Sequence, residues 1–156
     1  MPLDQHEIVQ VYRRRAPRYD FTANLYYLIG FRLRAYRRAA VAQLALQPGD
    51  TVVEVGCGTG LNFPLLQRVI GPAGRIIGVD LTDAMLAQAR RRIERGGWRN
   101  VDLVACDAAR YEFPGRLGGI LSTFALMLVP EYESVIERGT RALAPGRRWV
   151  VADLKI

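Results

Sequence analysis

The sequence predicts an α/β fold, a doubly wound parallel sheet with helices on both faces. Three observations predict it. From Thr51 onward, short β-branched runs alternate with helical stretches, the signature of parallel strands joined by crossover helices. A glycine-rich bend separates the first of these runs from the helix that follows. An acid, Asp80, closes the second run.

The elements follow in order. Residues 1–47 read as helical, with aromatics and arginines interleaved, and residues 31–46 suit a helix whose later half is apolar. Pro48-Gly49-Asp50 stops it. Residues 51–55 are a buried strand, 60–70 a helix and 75–80 a second strand after the turn Gly71-Pro72-Ala73-Gly74. Met85, Leu86, Ala89 and Ile93 have helical spacing within 82–95, with Thr82 placed to cap the N-terminus. Residues 101–106 and 119–123 are the third and fourth strands. Pro130 suits the first turn of a helix running to about Leu143. Ala144-Pro145-Gly146 breaks the chain before a last strand at 148–153.

The chain has 156 residues, enough for one domain with a real core: a helical segment over 1–47 and a sheet core over 51–156. No apolar run is long enough to cross a bilayer, and the start lacks the pattern of a secretory signal. Cys57 and Cys106 have no metal-ligand spacing, so no metal is expected, and two thiols suit a reducing cytoplasm. Residues 1–40 hold eight arginines against Asp4, Glu7 and Asp20. Such a cluster attracts an anionic membrane surface or an acidic substrate; its plainer reading is a solvated helix face. Charge alone does not make a nucleic-acid binder, and no nucleic-acid motif accompanies it.

The chemistry concentrates at Val53-Glu54-Val55-Gly56-Cys57-Gly58-Thr59-Gly60. Glycines there let the backbone turn sharply and approach a ligand. The spacing is Gly-x-Gly-x-Gly, and Leu61 stands where a dinucleotide fingerprint needs its third glycine. Glu54 would repel a pyrophosphate but could accept hydrogen bonds from an ammonium group, which speaks against a nicotinamide dehydrogenase. Asp80, twenty residues after Gly60, stands where an acid accepts both hydroxyls of a ribose; it could instead serve the N-terminus of the next helix.

Taken with Gly78-Val79-Asp80, Cys106-Asp107-Ala108 and Pro145-Gly146, this run resembles the class I S-adenosylmethionine-dependent methyltransferases, a Rossmann-like family, over about residues 8–154. The resemblance implies strand order 3-2-1-4-5, S-adenosylmethionine as cofactor and S-adenosylhomocysteine as product. Glu54 would hold the methionine amino group, and Gly56, Cys57, Gly58 and Gly60 would form the loop along the methionine moiety. Asp80 would bind the ribose, with Leu81 and Met85 packed on the adenine. Asp107 and Ala108 would read the adenine edge, and Thr123 and Phe124 would sit beside the sulfonium and the acceptor. Met85 and Leu81 could be simple core, Asp107 could cap its own turn, and both cysteines read as packing thiols.

Ala16, Tyr19 and Asp20 resemble the opening segment of the subfamily that methylates ubiquinone and menaquinone precursors or phosphatidylethanolamine, where Tyr19 would belong to a helical lid over the cofactor. After the fourth strand the chain departs from the quinone enzymes. Residues 124–129 are apolar where that group carries an arginine–asparagine pair. An apolar wall beneath an arginine-rich lid suits a small or lipid-like acceptor with an anionic headgroup, such as phosphatidylethanolamine, with a quinone precursor as the alternative. Catalytic silence is a third reading, because no catalytic base stands out; His6, Tyr12, Tyr19 and Asp20 are candidates by composition alone. The family's sheet has two further strands, and the chain ends just after the fifth. Its last strand would be an apolar edge, which invites a homodimer.

Overall fold

The computed structural model describes residues 4–22 and 32–153. Helix α1 (Gln5–Arg15) opens on a reciprocal cap between Asp4 and Glu7 and runs into a 3₁₀ turn, Ala16–Arg18. Helix α2 (Leu33–Gln43) leads to β1 (Thr51–Val55). Then come α3 (Phe63–Ile70), β2 (Arg75–Asp80), α4 (Asp83–Gly96), β3 (Val101–Ala105), β4 (Leu117–Thr123), α5 (Tyr132–Ala142) and β5 (Leu143–Ala152). The five strands form one sheet in the order β3-β2-β1-β4-β5, every neighbour parallel, as the sequence predicts.

Side chains alternate across a strand, so each strand feeds two cores. Val52, Ile76 and Leu121 face one of them, with Leu44, Phe63, Leu66 and Ile70. Val53, Val55, Val79 and Ile120 face the other, with Leu126 and Val135. The same alternation puts Glu54 and Thr123 on the face of Val52 and Leu121, at the carboxyl ends of adjacent strands. That end of a doubly wound sheet, where the strand order reverses, is where ligands bind.

Several boundaries differ from expectation, the fourth strand beginning at Leu117 rather than at residue 119 and α2 ending at Gln43 rather than at residue 46 among them; three others have a local reason. Helix α3 begins at Phe63 rather than at residue 60, because Gly58 and Gly60 carry positive φ and keep the chain in turns. Helix α5 starts two residues after Pro130; a 3₁₀ turn at Leu126–Leu128 and an extended Val129 use up the intervening chain. Strand β5 begins at Leu143, which pairs with Leu117, and regular pairing resumes only at Arg148 with Gly119. Pro145 has no N–H and Gly146 sits at φ +76°, so the predicted break survives as a bulge inside the strand. Among the described residues no helix is long and apolar enough to cross a membrane.

Candidate functional site

The loop after β1 is built by conformation first. Gly56 (φ +68°) donates its N–H to the Val79 carbonyl at 2.8 Å, and Cys57 donates to the same oxygen at 3.0 Å. Any Cβ on Gly56 would lie 2.3 Å from that of Ala125. The loop is thus drawn against β2 below and the β4 exit beside it.

Asp80, at the tip of β2, ties this arrangement together. One carboxylate oxygen accepts from the Gly58 N–H and the other from the Thr82 N–H, both at 2.8 Å. Burial pushes its pKa up, and those backbone donors oppose the rise. Each oxygen keeps a lone pair for a further donor. The carboxylate lines a cleft together with Gly56, Cys57, Gly58, Leu81 and Met85. Tyr19, Asp107, Ala108, Thr123 and Phe124 line it as well, so eleven of the thirteen residues singled out from sequence meet in one place.

Gly60 and Glu54 do not line it. Gly60 (φ +78°) turns the chain into α3, and a Cβ there would strike the Phe63 ring at 2.5 Å. Its role in this structure is conformational. Glu54 lies behind the wall, 1% exposed. Its Oε1 accepts from the Asn62 amide at 2.6 Å, while Oε2 is buried with no partner among the described residues.

Burial pushes the Glu54 carboxyl up to about 7, offset in part by Asn62 and Arg37 and reinforced by Asp80. Because the folded value exceeds that of an unfolded chain, the native state holds this proton more tightly. Stability is therefore lost as pH rises from the ordinary carboxylate range through about 7, by about 3 kcal/mol in all. Urea unfolding at pH 5 and pH 8 checks it: the Glu54→Gln variant should show a correspondingly smaller loss between the two. An equal loss in variant and parent would contradict the assignment.

The N-terminal segment covers the cleft. Ile8, Val9, Tyr12 and Tyr19 line it from above, and the Tyr12 and Tyr19 rings stand 6.3 Å apart. Three side chains latch the segment to the core. Gln5 donates to Asp107 at 2.7 Å, Arg13 pairs with Asp83 at 3.0 Å, and Asp20 accepts from Thr59 at 2.6 Å while pairing with Arg92. Asp20, a base candidate from composition, is therefore committed to the latch. His6 is exposed and outside the cleft lining. Asp107 also caps its own turn, accepting from the Ala109 N–H at 2.9 Å. Cys57 is 5% exposed and burial pushes its thiol well up, which makes it a packing thiol.

Of the residues at the site that the sequence reading missed, two are buried and polar. Arg37, counted there only as part of a basic cluster, is 8% exposed and lines the cleft. Its signal was present: Arg37, Ala40, Val41 and Leu44 follow the i, i+3, i+4, i+7 spacing of a buried helix face. Asn62 is wholly buried and joins Glu54 to Thr123, donating to both. Nothing local marks it.

The family model described as "methyltransferase domain" matches residues 52–146, the stretch from β1 into the β5 bulge. The chain belongs to that family. This methyltransferase domain is 27% identical over 151 residues to the demethylmenaquinone methyltransferase of Listeria welshimeri, covering 96% of this chain and 63% of the relative. It thus spans about three fifths of the length of curated relatives it matches. A crystal structure of a SAM-dependent methyltransferase from Aquifex aeolicus aligns with TM-score 0.68 at 22% identity, over 76% of this chain and 64% of that one. A Haemonchus contortus phosphoethanolamine N-methyltransferase, solved with phosphomonomethylethanolamine and S-adenosylhomocysteine, aligns with TM-score 0.66 at 24% identity. It covers 74% of this chain and 27% of the other. At these identities the two structures speak for the fold.

Proposed function

We propose that the domain binds S-adenosylmethionine in the cleft above the β1–α3 loop and transfers its methyl group to an apolar, lipid-like acceptor. One observation carries the reading. Asp80 is clamped at 2.8 Å to the Gly58 amide while lining the cleft, so an acid and a side-chain-free bend present themselves together to one ligand. The residues fit the cofactor. Asp80 has lone pairs for two ribose hydroxyls, Gly56 and Gly58 line the cleft without side chains, and Glu54 keeps a buried acceptor without a partner among the described residues.

When bound, the cofactor supplies an electrophilic methyl group on a sulfonium. The chain's residues then have mainly to align the acceptor and exclude water. Tyr12 and Tyr19, with Ile8 and Val9, close the roof. Thr123 and Phe124 set the floor at the end of β4, and Phe124 is held at φ +57°, which turns the chain out of the strand. Leu128 and Val129 extend an apolar wall from there.

That wall supports an acceptor with an apolar body. The exposed arginines 14, 15, 18 and 38 of the N-terminal region support delivery from an anionic membrane surface, and so a phospholipid amine such as that of phosphatidylethanolamine. The Listeria relative favours a second reading, a quinol precursor. Labelled cofactor offered with phosphatidylethanolamine vesicles or with demethylated menaquinol separates them. Label in the phospholipid supports the first and label in the quinol the second. Label in neither, from protein that binds S-adenosylhomocysteine by calorimetry, would overturn the acceptor class while leaving cofactor binding intact.

A further inference from the structure

The segment over the cleft is helical from Gln5 to Thr22, through the 3₁₀ turn at Ala16–Arg18. Its inward face is spaced Tyr12, Ala16, Tyr19: both tyrosines line the cleft and Ala16 is buried. Two residues beyond each of these, about 200° round a helix, stand Arg14, Arg18 and Phe21. All three are exposed, Phe21 to 71%. A lone exposed ring is ordinary on a protein surface. A ring in register with arginines, on the outer face of a helical segment, has the composition of an interfacial anchor.

The core carries the same charge beside it. Arg13 pairs with Asp83 at the start of α4, and Asp20 pairs with Arg92 near its end, so the segment lies along α4. Arg90, Arg91 and Arg95 of that helix are exposed. With Asp83 taken by Arg13, Glu94 is the acid left on α4 to oppose them. Arg14, Arg18, Arg90, Arg91 and Arg95 pair with no carboxylate among the described residues. Like charges gathered on adjoining helices repel one another, and a polyanionic surface relieves that repulsion. Phe21 decides which surface. Nucleic acid offers phosphates without an apolar layer for a projecting ring, whereas an anionic bilayer offers both.

We propose that Arg14, Arg18 and Phe21, together with Arg90, Arg91 and Arg95, dock the domain on an anionic membrane, with the Phe21 ring entering the acyl boundary. The inference rests on the membrane-borne acceptor proposed above and names the surface that brings the domain to it. The test is co-sedimentation with phosphatidylcholine vesicles, with and without phosphatidylglycerol, in the absence of cofactor. Neither lipid offers an amine to methylate, so docking is read apart from transfer.

The parent should bind the phosphatidylglycerol vesicles and leave the neutral ones in solution. An arginine at an anionic surface contributes a factor of about 5, so Arg14→Gln with Arg18→Gln should weaken binding about 25-fold. Arg90→Gln with Arg91→Gln should do the same. Phe21→Ala should weaken vesicle binding about 10-fold and leave heparin binding unchanged. Every substitution is at an exposed side chain, and the pairs on two different helices with Phe21→Ala give three independent readings, each checked by a melting curve.

Equal binding to both kinds of vesicle would overturn the proposal, as would parent-like binding in either arginine pair. Phe21→Ala binding vesicles like the parent would overturn it in favour of a surface for polyanions in general, nucleic acid among them. Docking that persists where no phospholipid receives label would overturn the acceptor reading and leave this surface standing. Label in the phospholipid without docking would do the reverse.

Discussion

Replacing Asp80 with alanine is expected to weaken binding of S-adenosylhomocysteine by about 100-fold. Two hydrogen bonds from ribose hydroxyls to a carboxylate, at about 1.5 kcal/mol each, amount to about 3 kcal/mol, and 1.4 kcal/mol is tenfold. The same change frees the Gly58 and Thr82 amides that the carboxylate now holds. The loop would lose its tie to β2, and thermal stability should fall as well. Asp80→Asn separates the two effects, since an amide keeps one acceptor oxygen for a backbone N–H but cannot receive two hydroxyl donors and two amides together. Calorimetry with each variant, alongside a melting curve, reads both quantities. Parent-like affinity in the alanine variant would reduce Asp80 to a clamp on the loop.

The second large effect belongs to Gly56. Alanine there meets two penalties at once: a left-handed backbone at φ +68° and a Cβ placed 2.3 Å from that of Ala125. The first costs about 1–2 kcal/mol and the second, an overpacking, about 1–3 kcal/mol. Together they remove a large part of a typical domain's stability, and the melting temperature should drop by about 10 °C. Gly49 is the control. It has φ +87° but open space where a Cβ would go, so Gly49→Ala should pay only the backbone cost. Equal losses in the two variants would show that the contact with Ala125 is relieved by a small shift and does not hold the loop in place.

These two residues were conspicuous before any coordinates, and the reason is physical. A bend that requires positive φ must recruit glycine, and an acid at the tip of the neighbouring strand is separated from it only by one crossover unit. The parallel sheet was legible on the same grounds, because β-branched runs alternating with helical stretches call for crossover connections, and the strand order came with the family resemblance that the bend and the acid carry. What blurred were boundaries. The start of α3, the start of α5 and the bulge in β5 all fall where a turn competes with a helix or strand of nearly equal local preference.

The buried network behaved differently. Arg37, Asn62, Glu54 and Thr123 come from α2, the start of α3, β1 and β4, and no sequence spacing relates them. An arginine among seven others on the first forty residues reads as solvent-facing, since a guanidinium is almost never buried without a reason. Whether it points inward depends on how α2 packs on the sheet. The latch between Asp20, Thr59 and Arg92 has the same origin, three residues from three distant segments.

The amino acids alone thus determined the sheet, the glycine bend, the acid beside it and the membership these imply, because each arises from backbone preferences acting over a few residues. Only the tertiary structure decided that Glu54 and Gly60 stand behind the cleft, that Asp20 latches the lid, and that a buried guanidinium enters the site. Those facts depend on which helix face meets the sheet, and packing settles that across the whole domain at once.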